Sequence, residues 1–102
     1  MIIYNVTINV EEDIHDSWLT GMKTVHIPEM LATGKFSKAL MTKVLVEEEL
    51  GGITYSVQYT TNNIETLHKY YDEDAENLRA KSSLFKGKFV VFGTELEIVS
   101  EF

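Results

Sequence analysis

The fold is decided by a nine-residue segment, IIYNVTINV, at residues 2–10. Its side chains alternate along the chain, so that one set is apolar and the other set contains Asn5, Thr7 and Asn9. A period of two among β-branched and aromatic residues predicts a strand with one buried face. The buried face would consist of Ile2, Tyr4, Val6, Ile8 and Val10.

A helical pattern follows this strand. Its apolar stripe is Ile14, Trp18, Gly21, Met22 and Val25. The helix is predicted to end near His26, because the ring of Pro28 disfavours helical backbone at Ile27. Pro28 can then open a short second helix, which Gly34 would end.

A second long helix is predicted from Asn62 onward. Asn62 and Glu65 have the spacing of a capping box, with Asn in place of the usual Ser or Thr. The stripe expected to face the core is Ile64, Leu67, His68, Tyr71, Ala75 and Leu78. His68 is therefore interpreted as a core histidine whose ring nitrogens are satisfied by hydrogen bonds.

Three further strands are predicted, over residues 36–49, from Ile53 after the turn-forming pair Gly51-Gly52, and from Phe89 to Val99. The element order is then βαββαβ. This order predicts an α+β, ferredoxin-like fold: an antiparallel four-stranded sheet with two helices on one face and the first and third strands at its centre. No linker-like stretch interrupts the chain, so residues 1–102 are expected to form one domain.

Composition restricts the classes of function. Nine basic residues against sixteen acidic ones give a net charge of −7, and cysteine is absent. A disulfide scaffold and thiolate metal sites are thereby excluded, and a nucleic-acid partner is disfavoured because it needs a basic surface. No apolar run is long enough to span a membrane. With no basic leader before the apolar start, a cytoplasmic location is expected, with no membrane partner.

The second face of the predicted sheet is polar without being charged. On its two central strands it carries Asn5, Thr7, Asn9, Thr54, Ser56, Gln58 and Thr60. Solvated sheet faces normally carry charged side chains, so a covered face is expected. A symmetric homodimer that pairs two such faces would cover it. Met41, Leu45 and Val91 are predicted to add apolar area to the same face.

Several short motifs resemble a known family. They are Ile3-Tyr4-Asn5-Val6-Thr7, His15, Trp18, Met22, His26-Ile27-Pro28, Thr33-Gly34-x-Phe36 and Phe92-Gly93-Thr94. The chain is similar in these motifs to small bacterial proteins of unknown function that resemble the dimeric α+β barrel superfamily. That superfamily includes antibiotic-biosynthesis-type monooxygenases, haem-degrading enzymes and small isomerases or decarboxylases. The resemblance implies a homodimer whose sheets form a barrel, and a pocket between sheet and helices. No cofactor is expected, because Trp18 and the histidines do not match the placement in the haem-degrading relatives.

Candidate site residues follow from this arrangement. His26 at the helix end is the candidate general base, since histidine titrates near neutral pH, and Asn5 is a second catalytic candidate. The predicted ligand-binding residues are Trp18, Met22, His26, Tyr55 and Gln58. No metal site is expected, because no zinc-type spacing of ligands occurs.

Three functions remain open at this point. The one ranked last is a subunit that adapts another protein through an exposed strand edge, although Lys43 and Glu47–Glu49 favour protection of that edge. The first is a binding or accessory module that holds a small, largely uncharged ligand or uses its sheet only for assembly. The second is a cofactor-independent monooxygenase or isomerase, with His26 as base, Asn5 or Gln58 as polar stabiliser and Trp18 with Tyr55 as the pocket wall. A cavity that joins these side chains would favour a ligand, whereas a space filled by the protein's own side chains would favour assembly.

Overall fold

A computed structural model of the protein describes residues 1–45, 51–81 and 87–102. Its strands are β1 (Ile2–Val10), β2 (Lys38–Lys43), β3 (Ile53–Thr61) and β4 (Phe89–Glu97). Its helices are α1 (His15–Gly21), α2 (Ile27–Ala32), α3 (Ile64–Glu73) and α4 (Ala75–Ala80), with a short 3-10 turn at Glu12–Ile14 and a π-helical turn at Met22–His26. The end of the predicted second strand, residues 46–49, lies outside the described residues.

The four strands form one antiparallel sheet in the order β2-β3-β1-β4. The predicted α+β, ferredoxin-like fold is confirmed, with β1 and β3 at the centre of the sheet. Tyr4 lies opposite Tyr59, and Val6 lies opposite Val57. This set of side chains packs against the helices, and Val10, Val57 and Tyr59 are almost fully buried. The apolar side chains of residues 2–10 thus face the core, as their alternating pattern predicts.

The first helical region does not break at Pro28, so its predicted end near His26 is wrong. Helical backbone continues from α1 through the π-turn into α2, and the Ile27 N–H donates to the carbonyl of Met22. In a regular α-helix the Pro28 ring would clash with the preceding turn. The wider hydrogen-bond spacing of the π-turn relieves this clash. Pro28 then occupies the first turn of α2, where its missing N–H costs little.

The second helical region also departs from its predicted details. Asn63, and not Asn62, caps α3: its Oδ1 accepts a hydrogen bond of 2.8 Å from the Thr66 N–H. His68 is exposed, so its predicted place in the core is wrong, and Tyr70 is buried. The helix is interrupted at Asp74 between α3 and α4. The rest of the predicted stripe lies as expected, because Leu67, Ala75 and Leu78 are buried and Ile64 and Tyr71 pack against the core.

The outer strands present different residues from those expected. Met41 lies opposite Val57 and Val91 lies opposite Ile8, so both are on the helix side of the sheet and their predicted place on the open face is wrong. Leu45 lies beyond the end of β2. A shift of one residue in register reverses the faces of a strand. The apolar residues that the outer strands place on the open face are Leu40, Val90, Phe92 and Leu96.

The helices of the described ranges are short. None of them is both long and apolar enough to cross a membrane.

Candidate functional site

A cavity of about 290 Å³ lies between the sheet and the helices. From the sheet it is lined by Tyr4, Val6, Ile8, Tyr59, Phe89 and Val91. From the helical regions it is lined by Trp18, Met22, His26, Met30, Tyr70 and Arg79. Its size is at the lower end of the range of small-molecule sites, and its wall is mostly apolar and aromatic, as such sites require. Arg79 and Val91 are exposed, which places the mouth of the cavity beside them.

A group of tyrosines forms one wall of the cavity. The Tyr4 ring lies 6.3 Å from the Tyr59 ring, 5.9 Å from Tyr70 and 5.7 Å from Tyr71, as measured between ring centroids. The Tyr4–Tyr71 contact is edge-to-face, and the Tyr71 hydroxyl donates a 2.8 Å hydrogen bond to the Glu95 carboxylate. Tyr4 is therefore held from several sides, because aromatic pairs at these separations attract each other.

The hydroxyls of Tyr59 and Tyr70 belong to the polar part of this wall. Burial raises the pKa of Tyr70 to about 12, and it raises the pKa of Tyr59 further. Both hydroxyls are therefore protonated at neutral pH and can donate hydrogen bonds. Within the described ranges, no protein group hydrogen-bonds to either of them. They are available to a molecule in the cavity.

His26 contributes the titratable nitrogen atoms of the cavity. The residue lies in the π-turn and is half-buried. Burial lowers its pKa below the ordinary value of 6.5, and the Glu29 carboxylate opposes this shift. Desolvation disfavours the charged form of a histidine, so the ring is neutral at pH 7 and one of its nitrogens can accept a proton.

Tyr55 stands behind Trp18 and does not line the cavity. The two ring centroids are 5.3 Å apart. The Tyr55 hydroxyl is 2.7 Å from Nε2 of His15, and Nδ1 of His15 is 3.0 Å from the Asp16 carboxylate. In the tautomer that carries its proton on Nδ1, Nδ1–H donates to Asp16 and Nε2 accepts from the Tyr55 hydroxyl. This chain of hydrogen bonds fixes Tyr55, and through it the position of Trp18.

The structure brings together some of the predicted site residues and separates others. Trp18, Met22 and His26 share the cavity wall. Asn5 and Gln58 lie opposite each other on β1 and β3, on the face of the sheet away from the helices. Neither amide can reach a molecule that lies beside His26 in the same protomer. Polar groups that do line the same cavity as His26 are the tyrosine hydroxyls and the Arg79 guanidinium.

Among the described helical residues that line the cavity, the sequence did not identify Met30, Tyr70 and Arg79. Met30 follows the π-turn, and a helix that ends at His26 leaves it off the apolar stripe. Tyr70 and Arg79 lie on either side of the break at Asp74. The spacing of three residues between Leu67 and Tyr70 is the signal that could have identified Tyr70.

Metal ligands are not grouped in the part of the chain that the structure describes: no three His, Asp or Glu side chains lie together as a candidate ion site there.

The sequence matches a family model over nearly its whole length. Residues 1–99 match the family described as domain of unknown function DUF4286, and the chain belongs to this family. No curated protein matches the sequence.

Solved structures show what the fold is similar to. A dimeric ferredoxin-like protein from an uncultured marine organism superposes with a TM-score of 0.73 at 16% identity, covering 100% of this chain and 98% of that one. SnoaB of Streptomyces nogalater, a cofactor-independent oxygenase, gives a TM-score of 0.68 at 4% identity, with 98% and 94% covered. A protein of Deinococcus radiodurans described as an antibiotic biosynthesis monooxygenase gives 0.59 at 12% identity, with 100% and 96% covered. These similarities confirm the predicted ferredoxin-like fold.

Proposed function

We propose that the protein binds a small, mainly apolar molecule in the cavity between its sheet and its helices. The observation that carries this proposal is the cavity itself, about 290 Å³ of space that the protein's own side chains leave open beside Trp18, Met22 and His26. A well-packed interior contains few voids larger than a water molecule. Space of this size, with tyrosine hydroxyls on its wall to which no described residue hydrogen-bonds, supports a bound molecule rather than a role in assembly alone.

The lining chemistry indicates what kind of molecule fits. Aromatic rings and methionine side chains offer apolar contact, and the Met22 and Met30 side chains can adapt to a ligand's shape. Tyr59 and Tyr70 add hydrogen-bond donors. An aromatic or alicyclic body with few polar atoms would match this wall, because each buried polar group needs a partner.

A pair of identical substitutions tests this proposal. Val6 lines the cavity, and Val6→Phe would fill part of it; Val25 is exposed on the helical surface, and Val25→Phe is the control. The probe is para-tert-butylbenzamide, followed by calorimetry. We expect the wild type and Val25→Phe to bind it with a dissociation constant of roughly tens of micromolar to a millimolar. Val6→Phe should bind at least about tenfold more weakly, a loss of about 1.4 kcal/mol. Equal binding by all three, or no binding by the wild type, would refute the proposal.

We further propose that the protein forms a homodimer through the open face of its sheet. This face carries Phe92 and Val90, which are 61% and 69% exposed in the single chain. Contiguous exposed apolar side chains mark interaction surfaces, and a two-fold axis would bring the same patch of a second copy against them.

The polar centre of this face is suited to being covered. The Ser56 hydroxyl donates to Asn5 Oδ1 over 2.7 Å, and Asn9 Nδ2 donates to the Thr54 hydroxyl over 3.0 Å. These groups satisfy one another across neighbouring strands. Because they do not depend on water for these hydrogen bonds, a second sheet could cover them at a low cost in desolvation.

A second function, cofactor-independent catalysis, is favoured by the neutral state of His26. A neutral imidazole on the cavity wall can take a proton from a carbon acid, which would support an isomerase or an oxygenase. Acetophenone in heavy water is a simple test. If His26 is a general base, the wild type accelerates exchange of the methyl protons for deuterium and His26→Gln loses the acceleration while still binding the ketone. Exchange at the uncatalysed rate with the wild type would rule out this function.

A further inference from the structure

The cavity is apolar over most of its wall, and Arg79 is cationic. Among the described residues that line it there is no Asp, Glu or Lys, and burial lowers the pKa of His26, which favours its neutral form. The whole protein has a net charge of −7. A positive charge at a cavity in an acidic protein is therefore a local feature that the overall charge does not explain.

Arg79 is placed at the mouth by α4. It is the only arginine of the chain. Its guanidinium lies close enough to Tyr70 to act on the hydroxyl in the direction that lowers its pKa, while the Asp74 carboxylate acts in the opposite direction and burial has the largest effect. Within the described ranges, no carboxylate pairs with Arg79, whereas nearby Lys81 pairs with Glu29 at 2.9 Å and Lys35 pairs with Asp74.

These groups match one kind of ligand head. A guanidinium presents a planar fork of N–H donors that binds both oxygens of a carboxylate. The protonated Tyr70 hydroxyl beside it is a further donor. The Arg79 guanidinium has no acceptor, so a polar ligand group that binds it must supply acceptors.

We propose that the ligand is an organic monoanion, an apolar aromatic or alicyclic body that carries one carboxylate, and that Arg79 binds the carboxylate at the mouth. The inference rests on the proposed function, since it concerns the same cavity. It replaces the expectation of a largely uncharged ligand with a ligand that is uncharged except at one end.

The experiment compares two probes of nearly equal shape, para-tert-butylbenzoate and the neutral para-tert-butylbenzamide. Binding is measured by calorimetry and by the emission of Trp18, the only tryptophan, which lines the cavity. The variants are Arg79→Gln and, as a control with the same change in net charge, Lys69→Gln, at an exposed position of α3. Val6→Phe reports whether either probe occupies the cavity.

We expect the wild type and Lys69→Gln to bind the benzoate roughly tenfold more tightly than the benzamide. Arg79→Gln should bind the two probes with about equal affinity, and its affinity for the benzamide should remain that of the wild type. Added salt should reduce the preference, because the mouth is exposed to solvent.

Two results would overturn the inference, and they are distinct from failure of the proposed function. One is equal affinity of the wild type for the two probes while Val6→Phe weakens both. The other is a preference for the benzoate that Arg79→Gln leaves intact. If neither probe binds the wild type, the cavity itself is not a ligand site, and both proposals are refuted.

Discussion

Gly93 and Tyr4 show how a single position shapes the cavity wall. Gly93 lies in β4 opposite Val6, and a Cβ atom built on it would lie 2.7 Å from Cε1 of Tyr4. The Tyr4 ring has little freedom to move away, because Tyr59, Tyr70 and Tyr71 surround it. The Tyr4 ring therefore occupies space that a side chain at position 93 would need.

Gly93→Ala should consequently destabilise the protein by about 1–3 kcal/mol, as overpacking of a filled site does. Gly21→Ala is the matched control, because Gly21 is helical and a Cβ there meets nothing within 4 Å. The stability of Gly21→Ala should equal that of the wild type or exceed it by up to about 1 kcal/mol. Urea unfolding measures both changes; equal stability of the two variants would contradict this account of Tyr4.

His26 makes a prediction about pH. Its pKa is lowered in the folded protein, so the unfolded chain takes up the proton more readily as the pH falls below 6.5. The free energy of unfolding of the wild type should therefore decrease as the pH falls below that value, and that of His26→Gln should lack this decrease. The free energy of unfolding is measured at about pH 7.5 and about pH 5.5. At the lower pH, the wild type should be less stable relative to His26→Gln than it is at the higher pH. A difference that is constant with pH would show that His26 is not desolvated.

At the scale of the elements, the N-terminus of α3 depends on one side chain. Asn63 Oδ1 accepts hydrogen bonds of 2.8 Å from both the N–H and the hydroxyl of Thr66. Loss of such a cap leaves a helical N–H without its partner.

Asn63→Ala should therefore cost about 1 kcal/mol, or a decrease of roughly 4–8 °C in Tm for a domain near this size. Asn62→Ala is the control, since Asn62 is exposed and is not the cap. It should change the stability by less than about 0.5 kcal/mol. Thermal unfolding distinguishes the two positions, and a larger effect at Asn62 would assign the cap to the residue that the capping-box spacing favours.

The strands could be predicted from the sequence more fully than the helices. The alternation in residues 2–10 has one interpretation, and β1 and β3 lie as it predicts. The end of the first helix could not be predicted, because the rule that proline ends a helix takes no account of a π-turn. The faces of β2 and β4 could not be predicted either, since a shift of one residue reverses them and local pattern does not determine pairing.

The site was predictable only where its residues share one element. Trp18, Met22 and His26 lie on one helical stripe, and the stripe brings them to the cavity. Arg79 lines the cavity from an exposed position of α4 that the predicted apolar stripe does not include. By contrast, the alternation of β1 is enough to predict that Asn5 lies away from the cavity, because odd positions of that strand face away from the helices.

At the scale of the whole molecule, the homodimer predicts the effect of one charge on the open face. Phe92→Glu should leave a particle of 11.7 kDa in place of twice that mass, because a carboxylate would have to be buried against the second sheet. Val25→Glu, an equally large change on the helical surface, should leave the dimer intact. Size-exclusion chromatography with light scattering gives both masses. A wild type that is already a monomer at micromolar concentration, or a dimeric Phe92→Glu, would contradict the assembly.

Occupation of the cavity by a small molecule is the central claim, and the four methionine methyl groups test it most directly. Met22 and Met30 line the cavity, whereas Met1 and Met41 lie outside it. Methyl NMR of methionine-labelled protein titrated with para-tert-butylbenzamide should show saturable shifts of the Met22 and Met30 signals, with contacts to the probe, and unchanged signals from Met1 and Met41. Signals of Met22 and Met30 that do not move, or four signals that drift together without saturation, would contradict the claim.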